Sequence, residues 1–140
     1  LKLQMLNEMS ATRHRMRSLI VITIVLFQSI VIAPVANISL DAEAAASFLR
    51  SIWPIFFVLV GVISITGTIK TNQVRARNIN LITALCMIAC IILVPRINLA
   101  MDAGNMTLWK ILHMSTVGLT LVSLTLHIWY VVRWHRANND

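Results

Sequence analysis

The sequence predicts an all-α protein: an integral membrane antiparallel four-helix bundle with both termini cytoplasmic. Three observations lead there. Hydrophobic residues make up 58% of the chain and charged residues 12%, against roughly a quarter charged in an ordinary soluble domain. Four long apolar runs follow one another with short polar stretches between them. Finally, most of the Lys and Arg residues fall on one side of those runs, which is how cytoplasmic flanks are marked.

Residues 1–17 set Leu1, Leu3, Met5, Leu6, Met9 and Met16 among Lys2, Arg13, Arg15 and Arg17, a pattern for a short interfacial or cytoplasmic lead-in at an anionic membrane surface. The apolar run that follows has no small-residue cleavage pattern, so no cleavable leader is expected. Residues 18–33 form the first span, ended or kinked at Pro34, which cannot donate the next helical hydrogen bond. Gln28 lies within it and is expected to point inward, because an amide facing hydrocarbon has no partner.

A connector is expected over residues 35–47, containing Asp41 and Glu43, and a second span over 51–69 with Pro54 in its first turn. Gly61, Ser64 and Thr68 give that span a face of small residues for close packing. The turn 70–78 carries Lys70, Arg75 and Arg77. A third span over 79–94 would be about 24 Å long, short for a ~30 Å hydrocarbon core, so Asn78, Asn80 and Arg96 are expected at the interfaces and Pro95 at its end. The segment 96–106 leads into the fourth span, 107–132, finished by an aromatic belt of Trp129, Tyr130 and Trp134. Residues 134–140 form a tail, with His135 solvated.

Lys2, Arg13, Arg15, Arg17, Lys70, Arg75, Arg77, Arg133 and Arg136 fall on one side of this arrangement. Arg50, Arg96 and Lys110 fall on the other, with Asp41, Glu43 and Asp102. The formal net charge of +7 therefore reports topology; the basic residues form no patch interleaved with aromatics, and no nucleic-acid partner is expected.

The fourth span carries the candidate site. His113, Thr116, Thr120, Ser123 and His127 recur at alternating spacings of three and four, which puts them on one helical face. Leucines, valines and Ile128 fill the other face, so the polar stripe should turn toward the neighbouring helices. His113 is the expected functional residue: it follows Trp109 by one turn, and Asn98, Asp102 and Asn105 would reach it if the 96–106 segment folds over the bundle mouth. His127 lies deeper, where a hydroxyl or Gln28 would satisfy it.

Two cofactor readings stand beside this one. His113 and His127 lie about 21 Å apart along a helix, a separation that suits two haems, but the first three spans supply no facing histidine except His14. A haem held by His14 and His127, by a histidine and Met87, or across a dimer is the remaining form of that alternative. Cys86 and Cys90, four apart on the third span beside Met87, are a soft pair of the kind copper(I) accepts, and equally the small buried residues that cores prefer. With two cysteines inside an apolar run, no disulfide framework is expected. No phosphate loop, nucleophile elbow or intramembrane carboxylate points to covalent catalysis.

Three stretches resemble a family of small four-helix membrane proteins, widespread in bacteria, whose eukaryotic relative is transmembrane protein two-hundred-and-five, implicated in resistance to platinum drugs. They are Phe27-Gln28 through Ile32-Ala33-Pro34-Val35, then Phe48-Leu49-Arg50 with Trp53-Pro54-Ile55-Phe56-Phe57, and Pro95-Arg96-Ile97-Asn98 with Trp109 and Leu112-His113. The family shows an aromatic residue, a histidine followed by Gly, and Ser and Asn further along one face. Here Met114 replaces the Gly, and Thr116 and Thr120 stand at the Ser and Asn positions. The resemblance implies the four-helix membrane fold and a common role for the stripe, and brings no activity with it.

The sequence reading is thus a polytopic protein of the bacterial inner membrane. Its interior polar seam is structural or binds a small ligand, and its partners are the lipid bilayer and other membrane subunits or further copies of itself. A haem-binding electron carrier and a soft-metal protein are the alternatives.

Overall fold

In the computed structural model, which describes the backbone of residues 2–137 and the side chains of residues 8–133, the described residues form helices and short links without strands. The expectations for the side chains of Leu1, Lys2, Leu3, Met5, Leu6, Trp134, His135 and Arg136 lie outside the described residues. Helix α1 spans Lys2–Leu26 and runs without a break through a π-helical turn, Phe27–Ile32, into α2, Ala33–Ser39. Helix α3 spans Ala42–Ile69, α4 Val74–Asp102 and α5 Met106–Ala137. Four helical stretches, Glu8–Ser39, Ala42–Ile69, Val74–Asp102 and Met106–Arg133, are long and apolar enough to cross a membrane.

The helices outrun the boundaries expected from sequence, and the reasons are local. The lead-in is no separate element, since α1 continues through it. The expected connector 35–47 shrinks to Leu40 and Asp41. Ahead of it, the π-helical turn carries the chain up to Pro34, with the Ala33 amide donating to the Gln28 carbonyl. Beyond it, Asp41 caps α3 by accepting from the Ala44 amide at 2.9 Å, and Glu43 sits in the first turn, where the helix dipole favours an acid. Pro54 is consequently inside α3 rather than in its first turn. Likewise Pro95 does not end the third span: α4 is 29 residues long and includes it. A proline inside such a helix withdraws one hydrogen bond and leaves the rest of the ladder in place.

The α4–α5 link is a compact helix stop. Asn105 N–H donates to the Ala100 carbonyl and Gly104 N–H to the Met101 carbonyl, with Gly104 at φ 66°; this left-handed position closes the last carbonyls of α4. Asn105 then caps α5, its side-chain oxygen accepting from the Leu108 amide at 3.0 Å.

Neighbouring helices run antiparallel. Thr83 meets His127, and farther along α4 Cys90 meets Thr116, earlier on α5. Helix α3 packs along α4, α4 along α5 and α5 along α1, while α1 meets α3 more lightly. One apolar core joins all four: Val21 and Val25 of α1, Phe56, Phe57 and Val60 of α3, Cys86, Met87 and Cys90 of α4, with Leu119 and Leu124 of α5 against them. Trp53 extends it, stacked on Phe57 at 5.7 Å and edge-on to Phe56 at 5.4 Å between ring centroids.

The outward surface is apolar too. Ile20, Phe27, Ile30, Ile55, Val62, Leu85, Ile92 and Leu121 are all exposed, while Ser18, Ser64, Thr83, Thr116, Thr120 and Ser123 are buried. Charge collects at the ends. At one end Arg75 and Arg133 lie over the Trp129 ring at 5.6 and 5.2 Å, and Tyr130 donates to Gln73 at 3.2 Å. At the other, Arg50 pairs with Asp102 at 2.6 Å.

Candidate functional site

The stripe on α5 faces the bundle. Thr116, Thr120, Ser123 and His127 are buried and His113 is half-buried. The hydroxyls first satisfy themselves along their own helix: Thr116 donates to the His113 carbonyl, Thr120 to the Thr116 carbonyl and Ser123 to the Leu119 carbonyl, all at 2.8–3.0 Å. Back-bonding of this kind is what Ser and Thr do when a helix face offers no other acceptor. It makes the middle of the seam a polar lining whose protons are already spent.

His127 is the exception, because it bonds across helices. Its side chain is 0% exposed. Nδ1 lies 2.9 Å from Ser18 Oγ on α1, and Nε2 lies 3.2 Å from Thr83 Oγ1 on α4. A neutral imidazole has one N–H and one lone pair, so one hydroxyl accepts from the ring and the other donates to it; Ser and Thr can each play either part. Three helices are joined by one ring. The ring and the type of partner are legible in the sequence, but the partners are not: Ser18 stands there as the start of a span, and nothing marks Thr83 among the polar residues of its run. Gln28, the other expected partner, is elsewhere: it is buried in the π-helical turn, and its Nε2 has no hydrogen-bond partner.

His113 stands differently. Its ring lies flat against Trp109, centroids 5.1 Å apart and planes 5° from parallel. The polar residues expected to converge on it do not. Asp102 is held by Arg50, Asn105 caps α5, and Asn98 is half-buried within the extended α4. Once the 96–106 segment becomes helix and a three-residue turn, it is too short to fold over the bundle mouth.

Cys86 and Cys90 are both buried in the apolar core. Cys90 Sγ lies 3.9 Å from the Thr116 carbonyl oxygen. Among the described residues no group of three or more His, Cys, Asp and Glu side chains is placed to hold a metal ion. A haem held by His14 and His127 would have to displace existing bonds: both nitrogens of His127 are on hydroxyls, and His14 Nδ1 accepts from the Arg17 guanidinium at 3.0 Å.

A second buried polar side chain, Asn80, sits where α3 crosses α4, its Oδ1 facing Gly67 without a hydrogen-bond partner. A Cβ on Gly67 would stand 2.5 Å from Asn80 Oδ1 and 2.9 Å from Arg17 Cδ, so an added methyl would force both side chains to shift. Asn80 is buried between the helices, and its Nδ2 donates to the Ala76 carbonyl at 2.8 Å. Gly61, by contrast, has ordinary space, 3.5 Å to Met87 Cβ. Compared with models of known families, with curated proteins and with solved structures, the chain matches none.

Proposed function

We propose that this chain is a non-catalytic subunit of a bacterial cytoplasmic membrane, spanning it four times with both termini on the cytoplasmic side, and that it works by holding a partner rather than by chemistry. The observation that carries the reading is the closure of His127 by Ser18 and Thr83. The most chemically capable group of the interior is spent on joining α1, α4 and α5, which is the use expected of a scaffold. Apolar side chains outside and hydroxyls inside support the bilayer placement, since hydrocarbon accepts the former and penalises the latter. The basic end formed by Arg75, Arg77 and Arg133 supports the orientation.

What is held would meet the opposite end. There the His113 ring, partly open and stacked on Trp109, has no hydrogen-bond partner among the described residues, so its nitrogens can meet a small polar ligand or a side chain of another subunit. Kinship with the four-helix family belongs to the same proposal and rests on Trp109, His113 and the seam positions. Purification from native membrane, with identification of what co-purifies with wild type and with His113→Ala, tests the reading. A partner lost only in the variant is the expected result. Turnover of a substrate by the purified chain alone would overturn it.

A further inference from the structure

We propose that the cleft between α1 and α3 at the basic end binds one anionic phospholipid, its phosphate on Arg13 and Arg17 and its acyl chains along Met16, Ile20 and Ile63. The inference rests on the bilayer placement above and goes beyond it by naming a site and an occupant. The cleft has a volume of about 430 Å³ and is lined by these residues with Thr12 and Thr66. It exists because α1 meets α3 only lightly, and its two walls carry one gradient. On α1 the order Arg13, Arg17, Ile20 descends from charge to hydrocarbon over about 10 Å of helix. On α3, Thr66 stands at the level of Arg17, whose Cδ lies beside Gly67, and Ile63 lies one turn deeper. A phospholipid has the same order: anion first, then hydrocarbon.

The charge complementarity is prepared. Arg13 and Arg17 are one helical turn apart, a spacing at which like charges repel, and neither is paired with a carboxylate among the described residues. Glu8 lines an adjoining hollow with Arg13, farther from the apolar part of the cleft. Arg17 is also held in place. Its stem lies beside Gly67, and its guanidinium donates to the buried His14 at 3.0 Å. Arg13 Nε donates to the Met9 carbonyl at 3.3 Å, which leaves its terminal nitrogens for a phosphate. Basic pockets between spanning helices recognise anionic headgroups in this way.

The test is native mass spectrometry of the detergent-purified chain titrated with dioleoylphosphatidylglycerol, dioleoylphosphatidylcholine or inorganic phosphate, with melting temperature recorded in parallel. Wild type should retain one phosphatidylglycerol at least tenfold more strongly than phosphatidylcholine and melt higher with it, and inorganic phosphate should give no such shift. Retention should fall at least tenfold in Arg13→Gln/Arg17→Gln and in the exposed single change Arg13→Gln. It should fall also in Ile63→Trp, which fills the cleft and keeps both arginines, and stay unchanged in Arg77→Gln at the same end. Equal retention of the two lipids by wild type, unchanged retention in Arg13→Gln and Ile63→Trp, or an equal loss in Arg77→Gln overturns the proposal. So does a melting shift reproduced by inorganic phosphate, which would assign the arginines to a free anion. These outcomes are independent of topology reporters, so failure here is distinguishable from failure of the bilayer reading.

Discussion

Ser18 and His127 stand 109 residues apart in the chain and share a hydrogen bond of 2.9 Å between Oγ and Nδ1. The bond fixes the register of α1 against α5, and the Thr83 contact on the other ring nitrogen fixes α4 against both. Interhelical hydrogen bonds in membranes average about 0.6 kcal/mol each and reach about 1.7. Ser18→Ala and Thr83→Val should each destabilise by about that much, and the double variant by less than the sum once the ring is free to move. His127→Ala also leaves an enclosed void, so it should destabilise by about 2–4 kcal/mol. Thermal melting in detergent, read as a double-mutant cycle, checks the set.

Gly67→Ala should be among the most disruptive single-methyl additions in the chain. The new Cβ meets Asn80 Oδ1 at 2.5 Å, and overpacking of this kind destabilises by about 1–3 kcal/mol. At Gly118 nothing lies within 4 Å, so Gly118→Ala should raise stability by up to about 1 kcal/mol through helix propensity alone. Melting temperatures moving in the same direction for both would contradict the packing seen at α3 and α4.

His113→Ala should separate binding from folding. The ring's described contact is the Trp109 stack, worth about 0.5–1.5 kcal/mol for an aromatic pair. The variant should therefore insert and melt close to wild type while losing any partner or complementation. Co-purification and a melting curve on matched preparations show whether the two effects divide between His113 and His127 in this way.

Arg50 and Asp102 link α3 to the end of α4, but with 38% and 58% of their side chains exposed the pair should contribute under about 1 kcal/mol. Arg50→Ala should scarcely move the melting temperature in 0.15 M salt. A drop of several degrees would show that this end is more enclosed than its exposure implies.

Topology reporters complete the set. Insertions in the link 70–73 and after Asp140 should report from the cytoplasm, and one at Leu40 from outside. An external signal from 70–73 would remove the four-span orientation.

The four apolar helices and the inward turn of Thr116, Thr120, Ser123 and His127 were legible because a 3.6-residue period and a strong polarity contrast survive in a single sequence. Helix ends were not. Pro34, Pro54 and Pro95 looked like punctuation, yet each sits inside or beside continuing helix, because one lost hydrogen bond is small against the packing of a long span. A usable signal was present at Asp41-Ala42-Glu43-Ala44, a capping residue, an acid in the first turn and alanines. The partners of His127 were not legible, since which of several hydroxyls meets a ring depends on helix rotation and depth. Gly61 and Gly67 each lie three residues from Ser64, and only the side chain opposite tells them apart.

The shortness of one link decides where the bundle can open. Two residues, Leu40 and Asp41, join α2 to α3, and a fully extended pair reaches only about 7 Å. The end of α2 and the start of α3 therefore stay within that distance of each other however the two spans move. Because α1 meets α3 only lightly, any parting of the first two spans opens at the far end, beside Arg13 and Arg17, and closes toward Leu40.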